Sequence, residues 1–255
     1  MNDEERPKRL LDEMTWTEVE QALEEGRTTV VVAVGATEQH GPHLPLRVDA
    51  TRGDWLAVAV AERLGDHALV APTIRVGCSE HHMSFAGTIS LRRSTLEALC
   101  MDYCVSLARH GFRRICLVPS HGGNFGPLRD MLDDLNRAVA PDCSVQAYTN
   151  LEGFLKVWVK AVQEVVGMGD RVGGHADIAE SSEMLVLRPD LVRKGKAEPG
   201  YMKGVDPDLF VRIFRDGLRT VTPNGILGDS RGMSAAIGKR CLERSADALA
   251  SAFTE

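Results

Sequence analysis

The chain has 255 residues, 44% hydrophobic and 26% charged, with 24 Gly and 11 Pro. This is the composition of an ordinary globular protein, which excludes collagen-like, disordered and coiled-coil chains. Thirty Lys and Arg stand against 36 Asp and Glu, a net charge of −6, and the basic residues are scattered, so the phosphate-neutralising surface of a nucleic-acid binder is missing.

No stretch approaches the roughly 20 apolar residues that span a bilayer, and the charged start MNDEERPKRLLDEM holds no signal-peptide core. A cytoplasmic chain with neither membrane nor nucleic-acid partners is expected. The six cysteines (Cys78, Cys100, Cys104, Cys116, Cys143 and Cys241) show no C-x-x-C spacing, which predicts buried free thiols in a reducing compartment.

The first element is a helix near residues 15–25, opened by a capping box of Thr15 and Glu18, with Trp16, Val19 and Leu23 on one face and an end near Gly26. The β-branched run Thr28 to Val34 has no polar alternation and predicts a parallel strand buried on both faces. A polar loop leads to a helix from Asp49 to Leu64. ALVAPTIRVG predicts a short strand, Ser94 to His110 a helix with Ser94 as its N-cap, and Arg113 to Pro119 another strand. A turn through SHGGN opens a helix from Gly126 to Val139, followed by the strand SVQAYTN and the amphipathic segment GFLKVWVKAVQEVV. RKGKAEPGYMKGVDPD is expected as a long surface loop, and Met233 to Phe253 as the closing helix. Strands alternating with helices define a layered α/β chain with a mostly parallel sheet.

In such a sheet ligands bind beyond the carboxyl ends of the strands. The residues there are metal-ligand types: Glu38, His40, His43 and Asp49 after the first strand, His121 after the strand ending at Pro119, and His175, Asp177 and Glu180 later. Glu38 and His40, two apart in an extended chain, point the same way. Singly, each of these is explained as well by solvation or hydrogen bonding. Together Glu38, His40, Asp49, His121 and Glu180 mix imidazole with carboxylate, which suits Zn²⁺, Mn²⁺ or Fe²⁺. Two ions balance the three carboxylates better than one, with Asp49 as the natural bridge, and such a site activates water for attack on a carbonyl.

His175, near Glu180, is placed to exchange a proton, and Glu180 shares the catalytic assignment. Gly122 and Gly123 either permit the turn or bring backbone N–H groups to an oxyanion. His82 is a candidate substrate-lining residue, as are Asp177 and Trp158, the last better explained by core or interface packing than by contact with substrate.

The segments GATEQHGPHLPLRVDA, HMSFAGTISL, SHGGN and GGHADIAESSEML, in this order between residues 28 and 190, resemble the creatininase (creatinine amidohydrolase) family. The resemblance implies a three-layer αβα fold, a two-metal site, hydrolysis of cyclic amides or formamide-type C–N bonds, and a homo-oligomer, often a hexamer. The family's ligand positions fall on Glu38, His40, Asp49 and His121, with Glu180 at the acidic position of the last motif. Members acting on creatinine carry an acid two places after the second histidine ligand, where this chain has Gly123. The HGGN form is similar instead to formamide hydrolases and to a peptide-processing branch. Asp177 and Ile178 stand where the family has a small residue and an acid, and Ala86 where proline is common.

The expectation is therefore one domain over 1–255, a metal-dependent hydrolase of a C–N bond in a small-molecule substrate: a cyclic amide, a formamide or a small peptide-like molecule. Hydrolysis of a cyclic ketone or lactone on the same site, or a non-catalytic metal-binding subunit, are the alternatives.

Overall fold

A computed structural model describes residues 9–65, 67–204 and 207–254. Helix α1 (Trp16–Glu24) starts at the Thr15–Glu18 capping box, with Thr15 N donating to Glu18 Oε2 at 2.7 Å. Its apolar face is only partly covered: Ala22 is buried while Trp16 remains 75% exposed. Strand β1 (Thr29–Val34) is buried throughout. It is followed by α2 (Val48–Leu64), β2 (Ala68–Val70), α3 (Arg93–His110), β3 (Arg114–Pro119), α4 (Phe125–Val139), β4 (Ser144–Ala147) and α5 (Leu151–Val166). Then come β5 (Val172–His175), α6 (Ile178–Leu187), α7 (Pro207–Asp216), β6 (Leu227–Gly228) and α8 (Ala235–Ser251).

The main sheet is parallel in the order β2-β1-β3-β4. Side chains alternate across β1, and this alternation separates two apolar layers. Val30, Val32 and Val34 pack with Ile115 and Leu117 against α1, α3 and α4. Val31 and Ala33 pack with Cys116 and Val118 against α2, α5, α6 and α8. The result is the expected three-layer αβα arrangement with a mostly parallel sheet. β5 and β6 form a separate antiparallel pair.

From β1 the chain crosses to β2 on one side and then returns to β3 on the other, so the sheet's switch point lies between the carboxyl ends of β1 and β3. That crevice is where open α/β sheets bind ligands.

Three expectations on elements are corrected. Ser94 is not the N-cap of α3: Arg92 occupies that position, with no side-chain cap. The stretch 193–208 is not all free loop, because Pro199 bridges Asp229 and Tyr201 bridges Leu227, adding backbone pairing along β6; residues 205 and 206 lie outside the described residues. Helix α7 falls in a region where no element is expected. The cysteines are free, and all but Cys78 are buried. No helix among the described residues is long and apolar enough to cross a membrane.

Candidate metal centre

Three loops meet at the switch point. The loop after β1 carries Glu38 and His40, fixed by Glu38 N donating to Leu46 O at 2.9 Å and Ile89 N to Thr37 O at 2.9 Å. At Gly35 a Cβ would meet the backbone of Asp49 and Ala50 at 3.1 Å, so glycine lets the first turn of α2 close onto the strand end and delivers Asp49 to the same point. Ser120 Oγ locks this by donating to the Asp49 carbonyl at 2.8 Å. His121 follows β3, and Asn124 behind it donates to Val34 O and Gly35 O while accepting from Cys78 N, tying three segments together.

The third contribution comes from the turn between β5 and α6. Ala176 takes φ 54 there, a left-handed conformation that is uncommon for a non-glycine residue. Its N–H donates to Glu180 Oε2 at 2.6 Å. His175 and Glu180 therefore belong to different elements, the strand β5 and the helix α6.

The five expected ligand residues converge. His121 Nδ1 lies 3.2 Å from Glu38 Oε1 and 3.5 Å from Asp49 Oδ2, and His40 Nε2 lies 3.5 Å from Asp49 Oδ1 and 3.6 Å from Glu180 Oε2. With metal–ligand bonds of about 2.1 Å, neighbouring ligand atoms around one ion sit roughly 3.0–3.4 Å apart, so these spacings are close to those of donors around a divalent ion, and Glu38, His40 and Asp49 form one group able to hold one. Within hydrogen-bonding reach of the described residues, Glu38 Oε1 and Oε2, His40 Nε2 and Asp49 Oδ2 are buried without a partner. Unpaired buried polar atoms are costly, and a convergent set of nitrogen and oxygen donors is what a divalent ion would satisfy. The residues fit the group.

Outer contacts orient these donors. His40 Nδ1 donates to Glu38 O at 3.1 Å and His121 Nε2 to Cys78 O at 3.0 Å, which turns Nε2 and Nδ1 respectively toward the cluster. Burial lowers the His40 pKa, but the Asp49 and Glu180 carboxylates outweigh it and raise it to about 10. His121 is likewise raised to about 9, Glu38 and Asp49 overriding its burial. Burial pushes Glu38 upward, and His121, with His82 and His175, more than reverses this and holds it well below the usual carboxylate range.

His175 Nε2 lies 2.9 Å from Gln39 O and 3.0 Å from Gln39 Nε2; with the proton on Nε2, donated to Gln39 O, Nδ1 is the open acceptor, 3.8 Å from Glu38 Oε1. Its ring sits 4.3 Å from that of His40. Burial, reinforced by His40 and His82, holds its pKa well below 6.5. His82 accepts from Gln39 Nε2 at Nδ1 (2.9 Å), which turns its Nε2–H toward Glu38 Oε1 at 3.4 Å. His43 is buried elsewhere, bonded to Ser181 Oγ at 2.7 Å.

A cavity opens over the cluster, lined by Glu38, Asp49, His121, Gly122, Gly123, His175 and Glu180 as well as His82 and Trp158. At Gly123 a Cβ would lie 2.3 Å from Cys78 O and 2.4 Å from His121 Nε2, so no side chain fits there.

Asp177, expected to touch substrate, does not line this cavity. It is the N-cap of α6, and its oxygens accept from the N–H groups of Gly173, Gly174, Ala179 and Glu180. Trp158 is 2% exposed, donates to Ser245 Oγ at 3.1 Å and carries the Arg52 guanidinium 4.5 Å above its ring, so it serves the core as well as the cavity wall.

Sequence reasoning missed Arg52, Glu183 and Gln39. Arg52 is wholly buried, with Nη1 2.6 Å from Glu180 Oε1 and Nε 2.6 Å from Glu183 Oε2. A signal existed: Arg52 follows Asp49 by three positions and Glu183 follows Glu180 by three, spacings that share a helix face.

Fold and cluster together define the class: a doubly wound α/β protein whose switch point holds buried imidazole and carboxylate donors suited to divalent ions. Residues 12–253 match the creatininase family, described as creatinine amidohydrolase. The chain is 35% identical over 222 residues to the mycofactocin precursor peptide peptidase of Mycobacterium tuberculosis, covering 83% of this chain and 79% of that protein. It is 31% identical over 260 residues to the creatinine amidohydrolase of Pseudomonas putida, covering 95% of each. Among solved structures, one described as creatininase Mn aligns with a TM-score of 0.76 at 28% identity, covering 96% of this chain and 97% of that one. A creatininase mutant of the Zn-Zn type aligns with a TM-score of 0.76 at 27% identity and the same coverage. The chain belongs to the creatininase family, whose relatives here are hydrolases.

Proposed function

We propose that this chain, as one domain, hydrolyses the C–N bond of a cyclic amide, a formamide or a small peptide-like substrate, using water activated at two divalent ions. The observation that carries the reading is the convergence of Glu38, His40, Asp49, His121 and Glu180, with the two Asp49 oxygens facing different histidines. Glu38 and His121 would hold one ion, His40 and Glu180 the other, and Asp49 both. Bound there, Zn²⁺, Mn²⁺ or Fe²⁺ lowers the pKa of water toward ~7 and polarises a carbonyl.

The chain's own residues do the rest. His175, neutral and with Nδ1 free, takes the proton released as water attacks and passes it to the departing amine. Gly122 and Gly123 offer backbone N–H groups beside His121 to the carbonyl oxygen. His82, held by Gln39, presents Nε2–H over Glu38 and can steady the substrate. Trp158 walls the cavity and, through Arg52, steadies Glu180. Assembly as a homo-oligomer, hexameric in the family resemblance, belongs to the same reading, and sedimentation velocity measures it.

The test is release of a free amine or ammonia from amide and formamide substrates, abolished by chelator and restored by added metal. Turnover of cyclic ketones or lactones without amine release, or activity indifferent to chelation, contradicts the proposal.

A further inference from the structure

Above the metal cluster the cavity changes character. From α5, Leu151, Phe154, Leu155 and Trp158 line it, at positions i, i+3, i+4 and i+7 of one helix face. From α7, Phe210, Ile213 and Phe214 line it, again at i, i+3 and i+4. The two stripes belong to different apolar clusters: Phe154 and Trp158 to the main core, Ile213 to a smaller one with Leu209, Leu218 and Leu227. They border one space. The Phe214 ring is half exposed and packs against His81, with centroids 4.6 Å apart.

Among the described residues the charged side chains that line the cavity, Glu38, Asp49, Glu180, Arg52 and His121, all belong to the histidine–carboxylate cluster. The Arg52 charge is already engaged by Glu180 and Glu183. Among the described residues, no lysine and no carboxylate beyond those three borders the cavity. A charged substituent in the upper part would lose its hydration without a partner, whereas an apolar one would exchange water for side-chain contact.

From these two stripes we infer an uncharged apolar subsite between α5 and α7, which takes an aromatic or branched-alkyl group attached to the scissile amide. The inference rests on the proposed amide hydrolysis for what lies on the cavity floor. It names the substrate class for that same site: an amide with a bulky apolar substituent, as opposed to a small polar ring such as creatinine.

The subsite can be read by binding, without turnover. Acetohydroxamate and 3-phenylpropionohydroxamate share a neutral metal-chelating head and differ in the apolar tail. Their affinities are compared by calorimetry on the protein as purified, with its metal counted in the same sample. Burial of the phenyl ring predicts about 30-fold tighter binding of the second probe. Phe214→Ala, at a half-exposed position, and Leu155→Ala should each reduce that ratio about three- to tenfold while leaving acetohydroxamate affinity unchanged. Equal affinities of the two probes, or a ratio unaffected by both substitutions, overturns the subsite.

The non-chelating pair 3-phenylpropionamide and acetamide, compared by ligand-observed NMR, separates the two readings. If the sample holds no metal, the hydrolytic proposal fails, yet preferential binding of the phenyl amide still supports the subsite. Equal binding of this pair in such a sample overturns the subsite as well.

Discussion

Glu180 turns one oxygen to Arg52 and the other toward the cluster: Oε1 accepts from Arg52 Nη1 at 2.6 Å, while Oε2 accepts from Ala176 N at 2.6 Å and lies 3.6 Å from His40 Nε2. Only one oxygen is therefore left for a metal, and its position depends on a guanidinium that is itself sandwiched between two carboxylates and an indole. Burial pushes Glu180 up to about 7, with His40 and Arg52 pulling the other way. Glu183 is pushed to about 7 by burial in the same manner, against the pull of Arg52.

Removing Arg52 strands these carboxylates. Arg52→Leu should destabilise the protein by roughly 3–5 kcal/mol, as loss of one partner from a buried ion pair does. Urea unfolding measures this. Arg52→Leu combined with Glu183→Leu should recover a large part of the loss. If the single variant unfolds at the wild-type urea midpoint, Arg52 is not the countercharge described.

Gly123→Glu, which places an acid where creatinine-acting relatives have one, should fail to add a ligand. Its Cβ meets Cys78 O and His121 Nε2, so the His121–Cys78 hydrogen bond is displaced. A stability loss of about 1–3 kcal/mol and reduced metal content are expected by thermal unfolding and elemental analysis. Wild-type metal content in this variant would contradict the packing argument.

His175→Gln should leave metal content unchanged and lower kcat by about 10²- to 10⁴-fold, the usual contribution of a proton-transfer group. Steady-state kinetics beside metal analysis checks this. A variant with unaltered kcat would remove His175 from the reaction.

Metal binding should release protons. His40 and His121 have folded-state values raised to about 10 and about 9, so both carry protons at pH 7 in the metal-free chain and must give them up to coordinate. At least about two protons per chain should leave when two ions bind at pH 7, two from the histidines and a further fraction from Glu180, measured by zinc titration in buffers of different ionisation enthalpy. The sign for stability follows from the same shifts. Both values lie above the unfolded ~6.5, so the stabilisation of the metal-free protein is fully present below about pH 6.5 and disappears as pH rises through about 9 to 10. Over that window metal affinity rises. Zinc uptake without proton release would show that these histidines are not ligands.

The layered fold is readable in the sequence because β1 and β3 are uninterrupted apolar runs, the mark of strands covered on both faces. Glu38, His40, Asp49 and His121 are readable because they crowd the ends of those runs. What local pattern does not reveal is pairing across the fold. Gln39 holds His82 across 43 positions, and Arg52 meets Glu180 across 128. Asp177 stays out of the site for the same reason: its neighbours suggest a site, but its oxygens are taken by the backbone of its own turn. The Gly-, Pro- and Lys-rich stretch before α7 masks its signal, although Leu209, Phe210, Ile213 and Phe214 carry a helical period.

The central claim is a pair of divalent ions joined by Asp49, and metal counting in wild-type and Asp49→Ala protein tests it most directly. The account predicts about two ions per wild-type chain, loss of both in Asp49→Ala, and loss of mainly one in Glu180→Ala. Wild-type protein holding much less than one ion per chain, or Asp49→Ala keeping the full complement, would contradict it.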